Sequence, residues 1–582
     1  MNADARAKFG HERRWVLPTA TEAEARRLAE AYGMSVPLAM VMLSRGITGE
    51  ARIDKFLNPR LSALSNPFLL PGMAKAVDII LGHVAAGSTI LVYGDYDADG
   101  VTATALLIQV LSRLHAVAVP FLPNRLEDGY GLTPETLRRC VRQSHPQLVV
   151  TVDCGTSACA AAEEAARMGV DMVVTDHHLP TIDGLADVPA LVNPKLADDE
   201  DTLMLAGVGV AFKLCHALVK VARERQMPGA DEVDLRSYLD LVAMGTVADR
   251  VPLLNENRIL VEHGLRHMNR TQSAGFQAMI RGVGLTLGEL DTFQVGYVLA
   301  PRINAICRLG DANVALELVL TDDPVRAETL VKEVSKASFR RQGIESQIYE
   351  EAVAELEKTF RPEVPEPVVL SSRTWHAGVI GVVASRIVAR YNRPAVLLTV
   401  GKNGVAQGSA RSIPDLDILA HLTKCRGLMR HYGGHAMAAG IEVEEENLPA
   451  FTEKFKAVCR ETLAGADLRR RLLIDAILRP EDVGMALYHS QMRIQPYGHS
   501  NPFPVWMVRR VKVIAPPVAI RDRHLRMSLQ IGTRTHDVMG FNMAYRARPQ
   551  MGDVLDIAFN MVPNRYNPDE LRLNLQDFRP AE

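Results

Sequence analysis

A chain of 582 residues is too long for one hydrophobic core, so about three or four domains are expected. With 47% hydrophobic and 23% charged residues and a net charge of −2, the composition excludes a disordered, fibrous or strongly basic protein. Its longest apolar runs, such as "PAVLLTV" at 394–400, fall far short of the roughly 20 residues of a membrane span.

In chain order, residues 1–72 are polar with helical spacing ("TEAEARRLAEAYG") and close on the Pro-containing "NPFLLPG". Residues 73–320 open with alternating β-rich and helical runs: "STILVYG", "VTATALLIQVLSRLH", "QLVVTVDCG", "SACAAAEEAARMG" and "VDMVVTDHH". This rhythm predicts βαβ units and a parallel sheet with helices on its faces. The first strand is expected to end at Gly94 and the next two at Asp153 and Asp176. Residues 321–362, with Pro324 near the start and charge-rich helical spacing, predict one long polar helix bridging two domains. A smaller α/β domain is expected over 363–464, from "EPVVLSS", "GVIGVVASRIVARY" and "PAVLLTV". Over 465–582, short strands punctuated by Gly, Pro and Asn predict a small β-barrel. The expected class is therefore multidomain α/β with a C-terminal barrel. Seven cysteines without a CxxC pair argue against a disulfide framework or a zinc knuckle, and no export signal is legible, so a cytoplasmic location is expected.

Three of the β-like segments finish in groups that bind hard or borderline cations. The first runs into Asp95, Asp97 and Asp99, the second into Asp153, and the third into Asp176, His177 and His178. In an open parallel sheet the carboxyl ends of the strands share one edge, so these distant residues are expected to converge. The apolar, helical stretch "LVAMGTVADRVPL" adds Asp249. Carboxylates with one or two imidazoles suit Mn²⁺ or Mg²⁺ better than zinc. Asp95, Asp97, Asp99, Asp153 and Asp249 with His177 suffice for two ions about 3.5–4 Å apart, an arrangement that clamps the attacking and leaving oxygens of a phosphoryl displacement. Read alone, "DADG" is also a turn. "DYDADG" imitates the start of an EF-hand loop, but the position that needs Glu holds Leu106, and no GxGxxG follows the first strand as a dinucleotide site requires.

"DYDADG", "TVDCG", "TDHH" and "GTVAD", in this order, resemble the four motifs of the DHH phosphoesterase superfamily, and "GGHAMAAG" at 433–440 resembles its companion DHHA1 domain. Within the superfamily, "NRLEDGYGL", "PRINA", "RRQGIE", "GSARS" and a C-terminal OB-like barrel look like the RecJ family of bacterial single-strand-specific exonucleases. The resemblance implies a Mn²⁺- or Mg²⁺-dependent enzyme that removes 5′-mononucleotides from single-stranded DNA in the 5′ to 3′ direction, in DNA repair and recombination. It implies Asp97, Asp99, Asp153, His177 and Asp249 as metal ligands, with Asp153 bridging and Asp95 contributing at the first ion. His178 then meets the scissile phosphate or supports the ligands, and a water rather than a side chain attacks. The chain departs from the pattern at Tyr93, where many members carry His, and at Ile306 and Cys307, where small residues are usual.

Holding a single strand calls for cationic side chains interleaved with flat platforms. Arg125 and Tyr130 have this composition, with an ion pair to Glu127 or Asp128 as the plainer alternative for Arg125. For the 5′ end, Ser409, Arg411 and Ser412 of "GSARS", with Arg302 and Arg308 from the first domain, suit a terminal phosphate. Gly433 and Gly434 permit close backbone approach beside His435, although a tight turn around a packed histidine reads equally well. Residues 470–582 carry 16 Lys or Arg against 11 Asp or Glu, a surplus that fits a module tracking a nucleic-acid backbone. Two other readings are a phosphodiesterase acting on short oligonucleotides or cyclic dinucleotides, and a non-catalytic DNA-binding scaffold. By resemblance, a helicase and a single-strand-binding protein are expected partners of a monomer, with no membrane involved.

Overall fold

The structure is a computed structural model that describes residues 13–124, 131–181, 184–546, 548–564 and 567–581. Its first sheet is built from β1 (Thr89–Gly94), α1 (Ala98–Arg113), β2 (Val117–Phe121), α2 (Pro134–Ser144), β3 (Leu148–Val152), α3 (Cys159–Met168), β4 (Asp171–Thr175) and β5 (Ala190–Val192). Every pairing is parallel and the strand order is 2-1-3-4-5. Central strands β1 and β3 are covered on both faces, which is why they read as continuous apolar runs instead of alternating. Asp153 and Asp176 lie one residue beyond their strands, not at the last strand positions. In this strand order the connections leave in opposite directions from β1 and β3, and the crevice between their carboxyl ends is the place where such sheets bind ligands.

The helices α4 (Gly207–Glu224), α5 (Leu239–Asp249) and α6 (Ala300–Leu309) pack on α1 and complete one large core. From it projects α7 (Pro324–Thr359), 36 residues or roughly 54 Å long. Its start is fixed by the Asp323 side chain, which accepts from the Val325 amide, and by Pro324 in the first turn. Ala327, Leu330 and Val334 belong to the first core, whereas Ile348, Ala352 and Leu356 belong to the next, so the two ends of one helix are buried in different domains. The second domain sets β6 (Val368–Ser372), α8 (Ala377–Tyr391), β7 (Ala395–Val400), β8 (Val405–Arg411), β9 (His431–His435) and β10 (Ala438–Glu444) in a mixed sheet of order 9-10-8-7-6.

At the C-terminus β11 (Trp506–Val513), β12 (His524–Ile531), β13 (Arg534–Gly540), β14 (Val554–Asn564) and β15 (Asn567–Pro580) close into a barrel, because β11 pairs with both β14 and β12. The N-terminal residues are not an independent helical unit. Arg13–Val16 is a strand paired with Arg470–Leu473, and the helices Val36–Ser44 and Glu50–Leu57 share a core with the barrel through Leu38, Met42 and Phe56 against residues such as Trp506 and Phe559. No single helix among the described residues is long and apolar enough to cross a membrane.

Candidate metal centre

The carboxyl edge of the sheet gathers the acids from four elements. Asp95 follows β1 and its Oδ1 accepts from the Tyr96 amide at 2.8 Å. Asp97 is the N-cap of α1, accepting from the amides of Asp99 (2.9 Å) and Gly100 (3.1 Å). Asp99, within the first turn of α1 and only 1% exposed, accepts from the amides of Gly207 (2.7 Å) and Val208 (2.9 Å), so the positive end of α4 is aimed at it. Asp153 directly follows β3 with φ at 63°, a left-handed conformation that Asp tolerates better than most residues. His177 stands past the end of β4. Its Nε2 lies 3.1 Å from Asp153 Oδ1, 3.7 Å from Asp249 Oδ2 and 4.0 Å from Asp99 Oδ2. Three overlapping groups result, each with ligand atoms within 4.8 Å of one another: Asp95, Asp97 and Asp153; Asp99, His177 and Asp249; Asp153, His177 and His178.

These groups do not satisfy one another. Burial, then the charges of Asp249 and Asp97, pushes the Asp99 carboxyl well above the usual range. Burial again comes first at Asp153, followed by Asp99, Asp97, Asp95 and Asp249. Burial holds His177 below the ordinary imidazole range, which favours a neutral ring with a lone pair to offer. Asp153 Oδ1 and His177 Nε2 are buried, adjacent and without a hydrogen bond. Mutually repelling buried carboxylates with two orphaned donor atoms facing each other fit divalent cations, and the oxygen-rich set suits Mn²⁺ or Mg²⁺.

Asp176 is different. It accepts from the amides of Thr156 (2.9 Å), His177 (2.7 Å) and His178 (3.1 Å) and from His178 Nδ1 at 2.8 Å. Burial pushes its carboxyl up, but the bond and charge of His178 outweigh this and hold it well below the usual range. Burial likewise works against a charged His178, yet the Asp176 bond and the charges of Asp176, Asp95 and Asp249 raise it to about 9. Asp176 therefore orients and charges His178.

The N-terminal domain of the DHH family matches residues 89–246, the DHHA1 domain residues 366–461, and the RecJ OB domain residues 474–577. The single-stranded-DNA-specific exonuclease RecJ of Bacillus subtilis (strain 168) is 33% identical over 532 residues, 91% of this chain and 66% of that protein. The protein of the same name from Escherichia coli (strain K12) is 36% identical over 484 residues, 81% of this chain and 82% of that protein. The crystal structure of RecJ in complex with Mn²⁺ from Thermus thermophilus is similar with a TM-score of 0.82 and 30% identity, over 98% of this chain and 80% of that one. The chain belongs to the RecJ family.

The RecJ-type motif "PRINA" has a visible task at the metal centre: Asn304 Oδ1 accepts from the Ala98 amide at 2.8 Å, pinning the turn that carries Asp97 and Asp99. Ile306 and Cys307, the departure from the family pattern, face inward from α6 and are buried. Tyr93 is also buried, stacked on Phe121 at 5.5 Å in the core beneath the sheet, so it stands among apolar neighbours. Sequence reasoning missed Asn193, which follows β5 and donates to Thr156 Oγ1 (2.7 Å) and to the His178 carbonyl (2.8 Å). The strand-edge rule applies to it as to Asp153, but β5 is only three residues long. Lys195, two residues on, places an ammonium near enough to Asp249 and His177 to act on both, and its signal was the same strand end.

The second domain forms the facing wall. His435 is held below the usual imidazole range by burial and then by Arg411, and it also feels His178 and Asp249 across the cleft. Arg411 Nη1 donates to Ser409 Oγ at 2.9 Å, and a side chain at Gly381 would press within 3.0 Å of Arg411 Nη2. Gly434 has φ at 143°, and beside it a Cβ at Gly433 would enter open space. Ser412 is turned away: it is buried and donates to the Leu416 carbonyl, which removes it from the phosphate-binding set expected from "GSARS". Arg302 donates to the Val298 carbonyl, and its buried Nε has no partner. Arg308 Nη1 donates to the Gly378 carbonyl at 3.3 Å, tying the two domains. Arg125 and Tyr130 lie outside the described residues.

Proposed function

We propose that this protein hydrolyses single-stranded DNA from its 5′ end, releasing 5′-mononucleotides with the help of two divalent cations. The observation that carries this reading is the pairing of the orphaned, buried Asp153 Oδ1 and His177 Nε2 amid Asp95, Asp97, Asp99 and Asp249. Asp153, which groups with Asp95 and Asp97 and lies 3.1 Å from His177 of the neighbouring group, would serve both ions; Asp95 and Asp97 would complete one site, and Asp99, His177 and Asp249 the other. Divalent cations held by these residues would supply an activated water and positive charge for the phosphoryl oxygens. His178, oriented by its hydrogen bond to Asp176, faces the scissile phosphate and offers a donor to its developing negative charge. Arg302, Arg308, Ser409, Arg411 and His435, with the Gly433–Gly434 backbone, receive the terminal phosphate, and Arg125 and Tyr130 the strand behind it.

Long α7 and the barrel favour a polymer over the short oligonucleotides or cyclic dinucleotides of the alternative reading, and the convergence of every acid disfavours a non-catalytic scaffold. The reading places the protein in the cytoplasm as a monomer in DNA repair and recombination, where a helicase and a single-strand-binding protein would expose and deliver its substrate. Incubation with Mn²⁺ and a 5′-phosphorylated single strand is expected to release mononucleotides. Asp153→Ala is expected to abolish release while retaining strand binding; undiminished release by that variant would overturn the assignment.

A further inference from the structure

Just before α6 the chain makes a feature that the metal centre does not use. Asp291 caps a single helical turn, Thr292–Gln294, and a π-helix follows at Val295–Leu299. Single π turns inserted in helices are rare and frequently mark functional sites. Here the wide turn keeps Val295 and Leu299 fully buried while Phe293 and Tyr297 stand 60% and 67% exposed. The two rings stack on each other, with centroids 4.9 Å apart and planes 28° apart. Among the described residues this is the one aromatic pair with both rings more than half exposed.

Its position gives the pair a meaning. A Cβ at Gly296 would lie 3.2 Å from Val247, so the π turn rests directly on α5, two residues before Asp249. On the other side the Thr292 hydroxyl donates to the Tyr497 carbonyl, and the Leu253 amide donates to the His499 carbonyl at 2.9 Å. Residues 497–499 belong to the segment that leads into the barrel. The rings thus stand at the junction of the metal centre and the barrel. Exposed Arg250 caps α5 with φ at 62°, and its guanidinium, after burial, holds His499 below the usual imidazole range. Exposed flat rings packed against the helix that carries Asp249, with Arg250 at that helix's end, have the make-up of a platform for unstacked bases.

We propose that Phe293 and Tyr297 are a base-stacking platform that holds the single strand between the metal centre and the barrel, with Arg250 neutralising its backbone. The platform is indifferent to sequence, because every base offers a π-face. This inference rests on the exonuclease reading, and the experiment keeps the two apart. KM and kcat are measured in Mn²⁺ on a 12-nucleotide single strand and on strands with one abasic position moved along it, for the native protein, for F293A/Y297A and for F293L/Y297L. The leucine variant keeps apolar bulk and loses the rings. Stacking contributes about 1–3 kcal/mol per base, so both variants are expected to raise KM about 10- to 100-fold, with the loss in KM and not in kcat. One or two abasic positions are expected to raise KM about tenfold in the native protein and not at all in either variant. Unchanged KM in the variants, or a loss of affinity that ignores which bases are present, would overturn the platform. Absence of any hydrolysis by the native protein would instead overturn the exonuclease reading, and the same abasic scan of strand binding would then decide the platform alone.

Discussion

Asp153 concentrates the electrostatic tension of the molecule in one side chain. It is 2% exposed, its backbone is left-handed, and four other carboxylates act on it. Burial and that repulsion keep its proton bound in the folded state to a higher pH than in the unfolded chain, where an Asp titrates near 3.9. The folded state therefore binds more protons, and the contribution of this group to stability falls as pH rises above about 4. In metal-free buffer Asp153→Asn is expected to melt above the native protein, by a margin that grows between pH 4 and 7; added Mn²⁺ is expected to reverse the order. A native protein that gains stability over Asp153→Asn as pH rises in chelator would contradict this origin of the strain. The residue types of the site were legible because three β-like segments each run into acids or histidines, and strand ends of a parallel sheet share one edge. What could not be read was the division of labour: "TDHH" offers Asp176, His177 and His178 alike, and only the four hydrogen bonds into Asp176 reveal it as the group that positions His178.

At the scale of elements, α4 lacks a local cap, since Ala206 offers no side-chain acceptor. Its first amides are satisfied by Asp99 on α1 instead, so one carboxylate both caps a helix and offers itself to a cation. Gly207 makes this possible, because a Cβ there would lie 2.3 Å from Asp153 Oδ1. Gly207→Ala is expected to fold, with far-ultraviolet circular dichroism unchanged, and to lose about 10²-fold or more in kcat, as a displacement near 1 Å of a reacting group can cause. Native-like kcat in that variant would show that the acids tolerate displacement. The strand rhythm predicted the parallel sheet because apolar runs and helical periods alternate on a scale the chain itself displays. The cap on α4 was invisible because its donor and acceptor are 108 residues apart, and the π-helix because its spacing differs from an α-helix by too little to show in a few residues.

Across the whole molecule, the bridging helix and the barrel were foreseeable from polar periodicity and from turn residues between short strands. The union of the two chain ends was not, since no local pattern reports which core an amphipathic helix joins. The tie is Arg258, 1% exposed, which lies 3.9 Å over the Phe56 ring and donates to the carbonyls of Phe56 (2.7 Å), Ile494 (3.1 Å), Gln495 and Pro496 (3.4 Å). Arg258→Ala removes the donor from the carbonyls of Phe56 and Gln495, about 1–3 kcal/mol each, while Asn501 still donates to those of Ile494 and Pro496. Calorimetry is expected to show a loss of about 2 kcal/mol or more and an earlier transition for the barrel; an unchanged melting curve would mean that other contacts hold the domains. The convergence of residues 95 to 249 on paired cations is tested most directly by anomalous diffraction at the manganese edge from crystals soaked in Mn²⁺. Two peaks about 3.5–4 Å apart, bridged by Asp153, are expected; a single peak elsewhere, or none within reach of Asp153 and His177, would contradict the account.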